Sequence, residues 1–221
     1  MLSNTLILVP TRFEAAHLFG DGLASRMRND CGIETEFGGR QSFVGLCGFS
    51  LIAAVQAYQI LSGLQAQIER VLLVGIGGAF SQDIELSSVV VGDRVRCVDV
   101  GIPSASGEWT VEFEGESAGL HDELPLAAVP QLQSLPAGLI LSTATCSTSL
   151  EMAADRLSRF PDAMVEEMEA YGVAVACQKF QVTLAVLRGI SNYAGQRDKS
   201  QWKIKESLLS VKECLLRAVS E

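Results

Sequence analysis

Residues 182–202 read VTLAVLRGISNYAGQRDKSQW. The stretch from Val182 to Ile190 is a short run of aliphatic and β-branched side chains, the pattern of a strand buried on both faces. Polarity then arrives together: Arg188, Ser191 and Asn192, with Gly189, Gly195 and a cluster of charges behind them. A central strand opening into a polar loop is expected here. Ligands of open α/β sheets bind beyond the carboxyl ends of such strands. Every strand of an α/β domain must also end in polar residues, so this stretch alone leaves both readings open.

Working backward, residues 171–180 read as a helix of small and apolar residues, and 163–169 as an extended segment. Residues 150–160 form a helix stopped by Pro161. A strand at 139–142 leaves into the small polar run 143–149, and 88–100 reads as two short strand pieces around a Gly92-Asp93 turn. A buried strand at 71–75 runs into Gly75, Ile76, Gly77, Gly78 and Ala79, expected as a turn whose missing side chains let backbone amides approach a ligand. A strand and glycine turn at 39–48 precede an apolar helix at 50–61, with Gln56 and Gln59 on its polar side. The first elements are a β-type run at 5–9, closed by Pro10, and a helix at 11–19 with Glu14 at the junction. Forward of the central stretch, 200–219 is an amphipathic helix; residues 101–120, rich in Gly, Ser and Glu, are the candidate long loop. Strands alternate with helices, so the class is α/β: a mostly parallel or mixed central β-sheet flanked by helices, in one domain over residues 1–221.

Hydrophobic residues make up 48% of the chain and charged ones 19%, a globular composition. The net charge of -9 argues against nucleic acid or an anionic membrane surface as partner, because no excess of positive charge exists to displace counterions from phosphate. The six cysteines are scattered without a CxxC pair and read as reduced, mostly buried thiols rather than metal ligands. The first residues lack a basic region, and no run reaches the ~20 apolar residues of a membrane helix. A soluble, cytoplasmic protein is expected.

Residues 165–170, VEEMEA, place three carboxylates within four positions. In an extended chain Glu167 and Glu169 share a face while Glu166 points the other way. Paired carboxylates repel unless a ligand hydroxyl or a cation separates them, so the segment is either a solvated acidic turn or a binding element. The series as a whole resembles the purine nucleoside phosphorylase and nucleosidase superfamily: Glu14 after Pro10, the glycines at 75–78, the Gly-Asp turn, VEEMEA, then RGISN. The nearest patterns are the methylthioadenosine/adenosylhomocysteine nucleosidases and, nearer still, the futalosine hydrolases of an alternative menaquinone pathway, to which RGISN followed by Gly195, Arg197, Asp198 and Trp202 is most similar.

The resemblance spans nearly the whole chain and implies a single-domain phosphorylase/hydrolase-like fold. It also implies roles. Glu14 is the general base that activates water. Met168 and Glu169 hold the ribose, and Glu167 is expected to bind the substrate with them. The backbone of Ile76, Gly77 and Gly78 lines sugar and base; Ser191 and Asn192 meet the purine; Trp202 flanks the 5′ substituent. No metal or organic cofactor is implied. A homodimer is, with a partner loop at 101–109 closing the 5′ pocket.

Asn192 stands where the methylthioadenosine enzymes carry Asp. An amide can donate to a 6-oxo group and accept from a protonated ring nitrogen but cannot give up a proton, which favours hypoxanthine or guanine over adenine. Ala170, Tyr171 and Gly172 depart from the Gly-Ala-Ala that usually follows the Met-Glu pair. Cys146 falls where the nucleosidases place an aromatic ring, leaving Phe80 and Tyr193 either to stack on the base or to fill the core. His17 and His121 lie in no ligand-like cluster, and Asp93 reads as structural. Arg188 is expected to meet an acidic neighbour. Arg197 and Asp198 either pair within their loop or reach the tail of a substrate, and Arg12 either meets an anion or sits on the surface. The expectation is hydrolysis of a 6-oxopurine nucleoside with a bulky 5′ group, futalosine foremost. The alternatives are a methylthioadenosine/adenosylhomocysteine nucleosidase, a phosphorylase, or a non-catalytic nucleoside-binding protein.

Overall fold

The computed structural model describes residues 4–64, 67–98 and 123–220, and the backbone of 102–103 and 109–110. In chain order the elements are β1 (Thr5–Val9), α1 (Arg12–Phe19), α2 (Asp21–Ala24), β2 (Ile33–Phe37), β3 (Arg40–Leu46), α3 (Leu51–Leu64), β4 (Arg70–Ala79) and β5 (Val89–Cys97). A two-stranded pair follows, β6 (Ile102–Pro103) with β7 (Trp109–Thr110). Then come β8 (Glu123–Pro125), β9 (Ala137–Ser142), α4 (Leu150–Arg159), β10 (Ala163–Glu167), α5 (Ala170–Phe180), β11 (Thr183–Tyr193) and α6 (Ile204–Val219).

The main sheet has the order β10-β9-β5-β11-β4-β1-β3-β2, with β8 on β5. It is mixed: β11 runs parallel to β4 and antiparallel to β5, and β1 runs parallel to both β3 and β4. β10 crosses back to pair antiparallel with β4 through Val165↔Ala79 and Glu166↔Gly78. That pairing closes β4, β11, β5, β9 and β10 into a ring at the carboxyl end of β4. Helices cover both faces, and the period-two alternation of the strands feeds two cores. Leu6, Leu8, Leu73 and Val186 pack towards α3 and α5, while Ile7, Val9, Val74 and Leu187 pack towards α1 and α6. Each such aliphatic side chain stabilises the fold by about 1.5–3 kcal/mol relative to exposure.

Several expectations change. Polarity does not end the central strand: β11 continues to Tyr193 and is buried through Asn192, with its register to β4 shifting between Ile190 and Asn192. The glycines at 75–78 are strand, not turn, because β4 is pressed from both sides. A Cβ on Gly75 would stand 2.9 Å from Glu14 Oε1 and 3.1 Å from Pro10, and one on Gly77 only 2.5 Å from Val165 Cγ1 and 3.1 Å from the Glu166 carbonyl oxygen. The Gly-Asp pair at 92–93 is a register irregularity inside one continuous β5. The extended segment before α5 ends at Glu167, so Glu169 caps a helix instead of sharing a strand face. Strand β2 was not anticipated. Of the cysteines, Cys47, Cys177 and Cys214 are buried, Cys97 and Cys146 half-buried and Cys31 exposed. The expected long loop at 101–120 contributes β6 and β7; its remainder lies outside the described residues, as does His121. Among the described residues no helix is long and apolar enough to cross a membrane.

Since β10 approaches the β4 backbone so closely, Gly77→Ala must displace Val165. The expected cost is about 1–3 kcal/mol, read in urea as a lower midpoint with an unchanged slope. An unaltered midpoint would show that the two strands are not pinned at this distance.

Candidate active site

All ten residues singled out from the sequence line one cavity of about 270 Å³ at the carboxyl ends of β1, β4 and β11. Glu14 comes from the first turn of α1, Ile76 to Gly78 from β4, Glu167 to Glu169 from the junction of β10 with α5, Ser191 and Asn192 from β11, and Trp202 from the segment before α6.

Thr11 and Glu14 lock each other. Thr11 is the N-cap of α1; its Oγ1 accepts from the Glu14 backbone N–H at 3.2 Å and donates to Glu14 Oε2 at 2.5 Å. The Ile76 N–H donates to the other oxygen, Oε1, at 3.2 Å. Burial raises the Glu14 pKa above its ordinary value of 4.5, only partly offset by the Thr11 hydroxyl, the charge of Arg188 and the Ile76 N–H. The result is a fixed carboxylate that is a stronger base than a free one.

The acidic segment divides its labour. Glu167 is engaged by the protein: it accepts from the Ser142 hydroxyl, from Arg188 Nη2, and from the backbone N–H groups of Glu169 and Ala170 at 3.1 and 2.9 Å. Those amides open α5, so this carboxylate satisfies donors that the helix itself leaves unpaired. Glu169 shares Arg188 Nη2 at 3.2 Å. Its pKa is pushed well above the usual 4.5, first by burial and then by the Glu167 charge, with Arg188 opposing. Arg188 is fully buried; burial alone would lower its pKa, but Glu167 and Glu169 together raise it. Glu166 faces the other way, as expected from its parity, accepting from the Ser147 N–H at 2.8 Å and from the Ser147 hydroxyl and Arg156. Arg156 also donates to the Thr145 carbonyl oxygen at 2.8 Å, fixing the wall that carries Cys146.

Met168 is held through its main chain, where its carbonyl accepts from Ser50 N–H at 2.7 Å. Ser50 adopts φ +54, a left-handed conformation costly for a residue with a Cβ. The Met168 sulfur lies 3.4 Å from Cys146 Sγ. Asn192 Oδ1 accepts from Ser191 Oγ at 2.8 Å and its Nδ2 donates to the Tyr193 carbonyl oxygen at 2.9 Å. One amide N–H and one lone pair remain for a ligand.

Phe80 and Tyr193 do not line the cavity; they pack in core clusters, and the aromatic walls are Phe13, Phe49 and Trp202. Arg12 spends its guanidinium on the Ala24 and Met27 carbonyl oxygens, at 2.5 and 3.0 Å. His17 lies outside the cavity, its Nδ1 2.9 Å from the Phe13 carbonyl oxygen. Among the described residues no group of three or more His, Cys, Asp or Glu is placed to hold a metal ion. Sequence reasoning missed Thr11, although Thr-Arg-Phe-Glu is a capping-box pattern. It also missed Arg156, which looks like any basic residue of an amphipathic helix.

A sequence model of the phosphorylase superfamily matches residues 31–220. The futalosine hydrolase of Streptomyces coelicolor is 32% identical over 147 residues, 66% of this chain and 63% of that protein, so the match spans less than two thirds of its length. The futalosine hydrolase of Thermus thermophilus is 29% identical over 233 aligned residues, 98% of this chain and 95% of its own. Among solved structures, the 5′-methylthioadenosine/S-adenosylhomocysteine nucleosidase of Neisseria meningitidis in complex with methylthio-immucillin-A superposes with a TM-score of 0.77 at 19% identity, covering 99% of both chains. The last likeness is one of fold.

Proposed function

The chain belongs to the phosphorylase superfamily, and from that premise we propose that it hydrolyses the N-glycosidic bond of a 6-oxopurine nucleoside with a bulky 5′ substituent, futalosine first among them. The observation that carries the reading is that a buried carboxylate of raised basicity, Glu14, and a neutral amide, Asn192, line the same cavity as Glu169. Cleavage builds positive charge on the sugar and negative charge on the leaving purine. Glu169 beside the ribose answers the first, and the free N–H of Asn192, aimed at a 6-oxo group, answers the second. Glu14 takes the proton of the attacking water. Met168 packs against the sugar, Ile76, Gly77 and Gly78 form the floor beneath sugar and base, and Ser191 orients Asn192. Glu167 is a positioning residue, because its oxygens are engaged by Arg188, Ser142 and the start of α5.

A phosphorylase needs basic groups free to hold phosphate at the attacking face. Arg12 and Arg188 are both committed elsewhere. An adenine-specific nucleosidase is disfavoured by Asn192. The activity belongs to menaquinone biosynthesis in the cytoplasm, with residues 1–221 acting as one domain. The active form is a homodimer, supported by the apolar face that α3 turns outward through Leu51, Ile52, Val55 and Tyr58; light scattering at twice the mass of one chain is the expected result.

The deciding experiment measures free base released from futalosine, inosine, methylthioadenosine and adenosylhomocysteine, with and without phosphate. Hypoxanthine from futalosine without phosphate is expected. Adenine release would overturn the base assignment, and a phosphate requirement would overturn hydrolysis. Asn192→Asp is expected to shift the preference towards adenine nucleosides by about 1–3 kcal/mol, roughly 10–200-fold, read as the ratio of kcat/KM values.

The Thr11 hydroxyl stabilises the charged form of Glu14, so removing it raises the pKa of the base still further. Thr11→Ala is therefore expected to move the acid limb of the kcat/KM profile to higher pH, while Thr11→Ser leaves it in place. Loss of the cap costs about 1 kcal/mol of stability. An acid limb that does not move would detach that limb from Glu14.

A further inference from the structure

One buried carboxylate of the cavity has no part in water activation or ribose binding. Glu166 turns away from Glu167 yet still lines the cavity, and it is 5% exposed. Its place in the sheet is specific. Glu166 on β10 and Asn192 on β11 are both Cα partners of Gly78, one on each side of β4. Asn192 reaches that level because β11 carries one extra residue, Ser191, between the partners of Gly77 and Gly78. Residues paired directly across neighbouring strands turn their side chains to the same face. A carboxylate and an amide therefore flank a residue without a side chain, on backbones two strand spacings apart, about 10 Å. The gap between them depends on the glycine: a Cβ on Gly78 would stand 3.2 Å from Asn192 Nδ2.

The carboxylate is held with one acceptor position to spare. Glu166 Oε2 takes the Ser147 hydroxyl and Arg156 Nη1, while Oε1 takes the Ser147 N–H alone, at 2.8 Å. A carboxylate oxygen offers two lone pairs, so among the described residues one on Oε1 is left for a ligand. Arg156, 2% exposed, neutralises the carboxylate, which thus brings an acceptor to the cavity without setting net charge against a leaving purine anion. A 6-oxopurine carries an N1–H donor next to its O6 acceptor, whereas adenine carries a bare N1 next to a donor amino group. Against a carboxylate, which only accepts, the first edge gains a hydrogen bond and the second sets lone pair against lone pair. That preference does not depend on which way an amide is turned.

We propose that Glu166 is a base-reading residue: its Oε1 accepts the N1–H of a 6-oxopurine while Asn192 meets the 6-oxygen. The inference rests on the reading of the cavity as a purine nucleoside site and adds the residue that selects the edge of the base.

The test measures Kd by calorimetry for free hypoxanthine, 1-methylhypoxanthine and adenine on the wild type and Glu166→Gln, alongside base release from futalosine and from its 6-amino counterpart. The wild type is expected to bind hypoxanthine roughly ten- to a hundredfold more tightly than either other base. In Glu166→Gln the preference for hypoxanthine over adenine should fall by about tenfold or more, with adenine bound no more weakly than before, because the new amide can give its N–H to the bare N1. The ratio of kcat/KM for the two nucleosides should follow. A Glu166 that served only to brace Ser147 would weaken both bases alike, so an unchanged ratio overturns the proposal. So does wild-type protein that takes 1-methylhypoxanthine as tightly as hypoxanthine, a comparison that needs no variant to fold, and so does wild-type protein that binds neither. Hypoxanthine released from futalosine beside an unchanged ratio would leave the hydrolase reading standing without Glu166. Bases told apart through Glu166, with no nucleoside cleaved, would leave Glu166 standing without the hydrolase reading.

Discussion

Glu14→Gln is expected to lower the rate of base release by about 10²–10⁴-fold with a much smaller change in substrate Kd. The substitution is nearly isosteric. Its amide oxygen can still accept from the Ile76 N–H, which reaches Glu14 Oε1 at 3.2 Å, while its amide NH2, standing in place of Oε2, donates to the Thr11 hydroxyl oxygen, so the first turn of α1 keeps its place. What disappears is the group proposed to accept the proton of the attacking water. Single-turnover measurements alongside calorimetric binding separate the two effects. A variant that keeps turnover within tenfold of the wild type would remove Glu14 from the mechanism. Wild-type protein that binds nucleosides without cleaving any would be a binding module.

The second large effect belongs to Arg188. Arg188→Met leaves Glu167 and Glu169 buried side by side without their shared cation. Breaking such a pair from one side costs about 3–5 kcal/mol, and the loss depends on pH. Arg188 holds down the pKa of Glu169, which burial has already raised above 4.5, so removing the arginine raises it further. Between the unfolded value of 4.5 and that higher native value, the native state binds more protons than the unfolded chain, and stability falls as pH rises through the window. The deficit of the variant should accordingly be larger at pH 8 than at pH 5 in urea titrations. An equal deficit at both would mean that the arginine acts through packing alone.

Much of this arrangement was legible in the sequence because it is local. Continuous apolar runs place β1, β4 and β11, and Pro161 ends α4 where expected. The cavity residues followed from motif order and resemblance, and they meet in space. Misreadings arose where a residue answers to a distant neighbour. The glycines of β4 resemble a turn in one dimension, yet they are small because Pro10, Glu14 and Val165 press on them. Arg188 and Ser191 look like the end of a strand but sit inside one, since Glu167, Glu169 and Gly77 supply partners that no local window contains. Aromatic lining was misplaced for the same reason: Phe13 and Phe49 reach the cavity by the turns of the chain, and no spacing rule marks them.

The position of β11 bears on how the chain is made. β4 and β5 are successive strands, yet they are kept apart in the sheet by a strand synthesised about a hundred residues later. Until Tyr193 has left the ribosome, each of the two presents an open edge to the other, and such edges recruit foreign strands. Those edges are closed, and Arg188 and Asn192 delivered to the cavity, by the same late insertion. A nascent chain stalled before it has the Glu14 and β4 sides of the cavity but neither the Arg188 guanidinium nor the Asn192 amide.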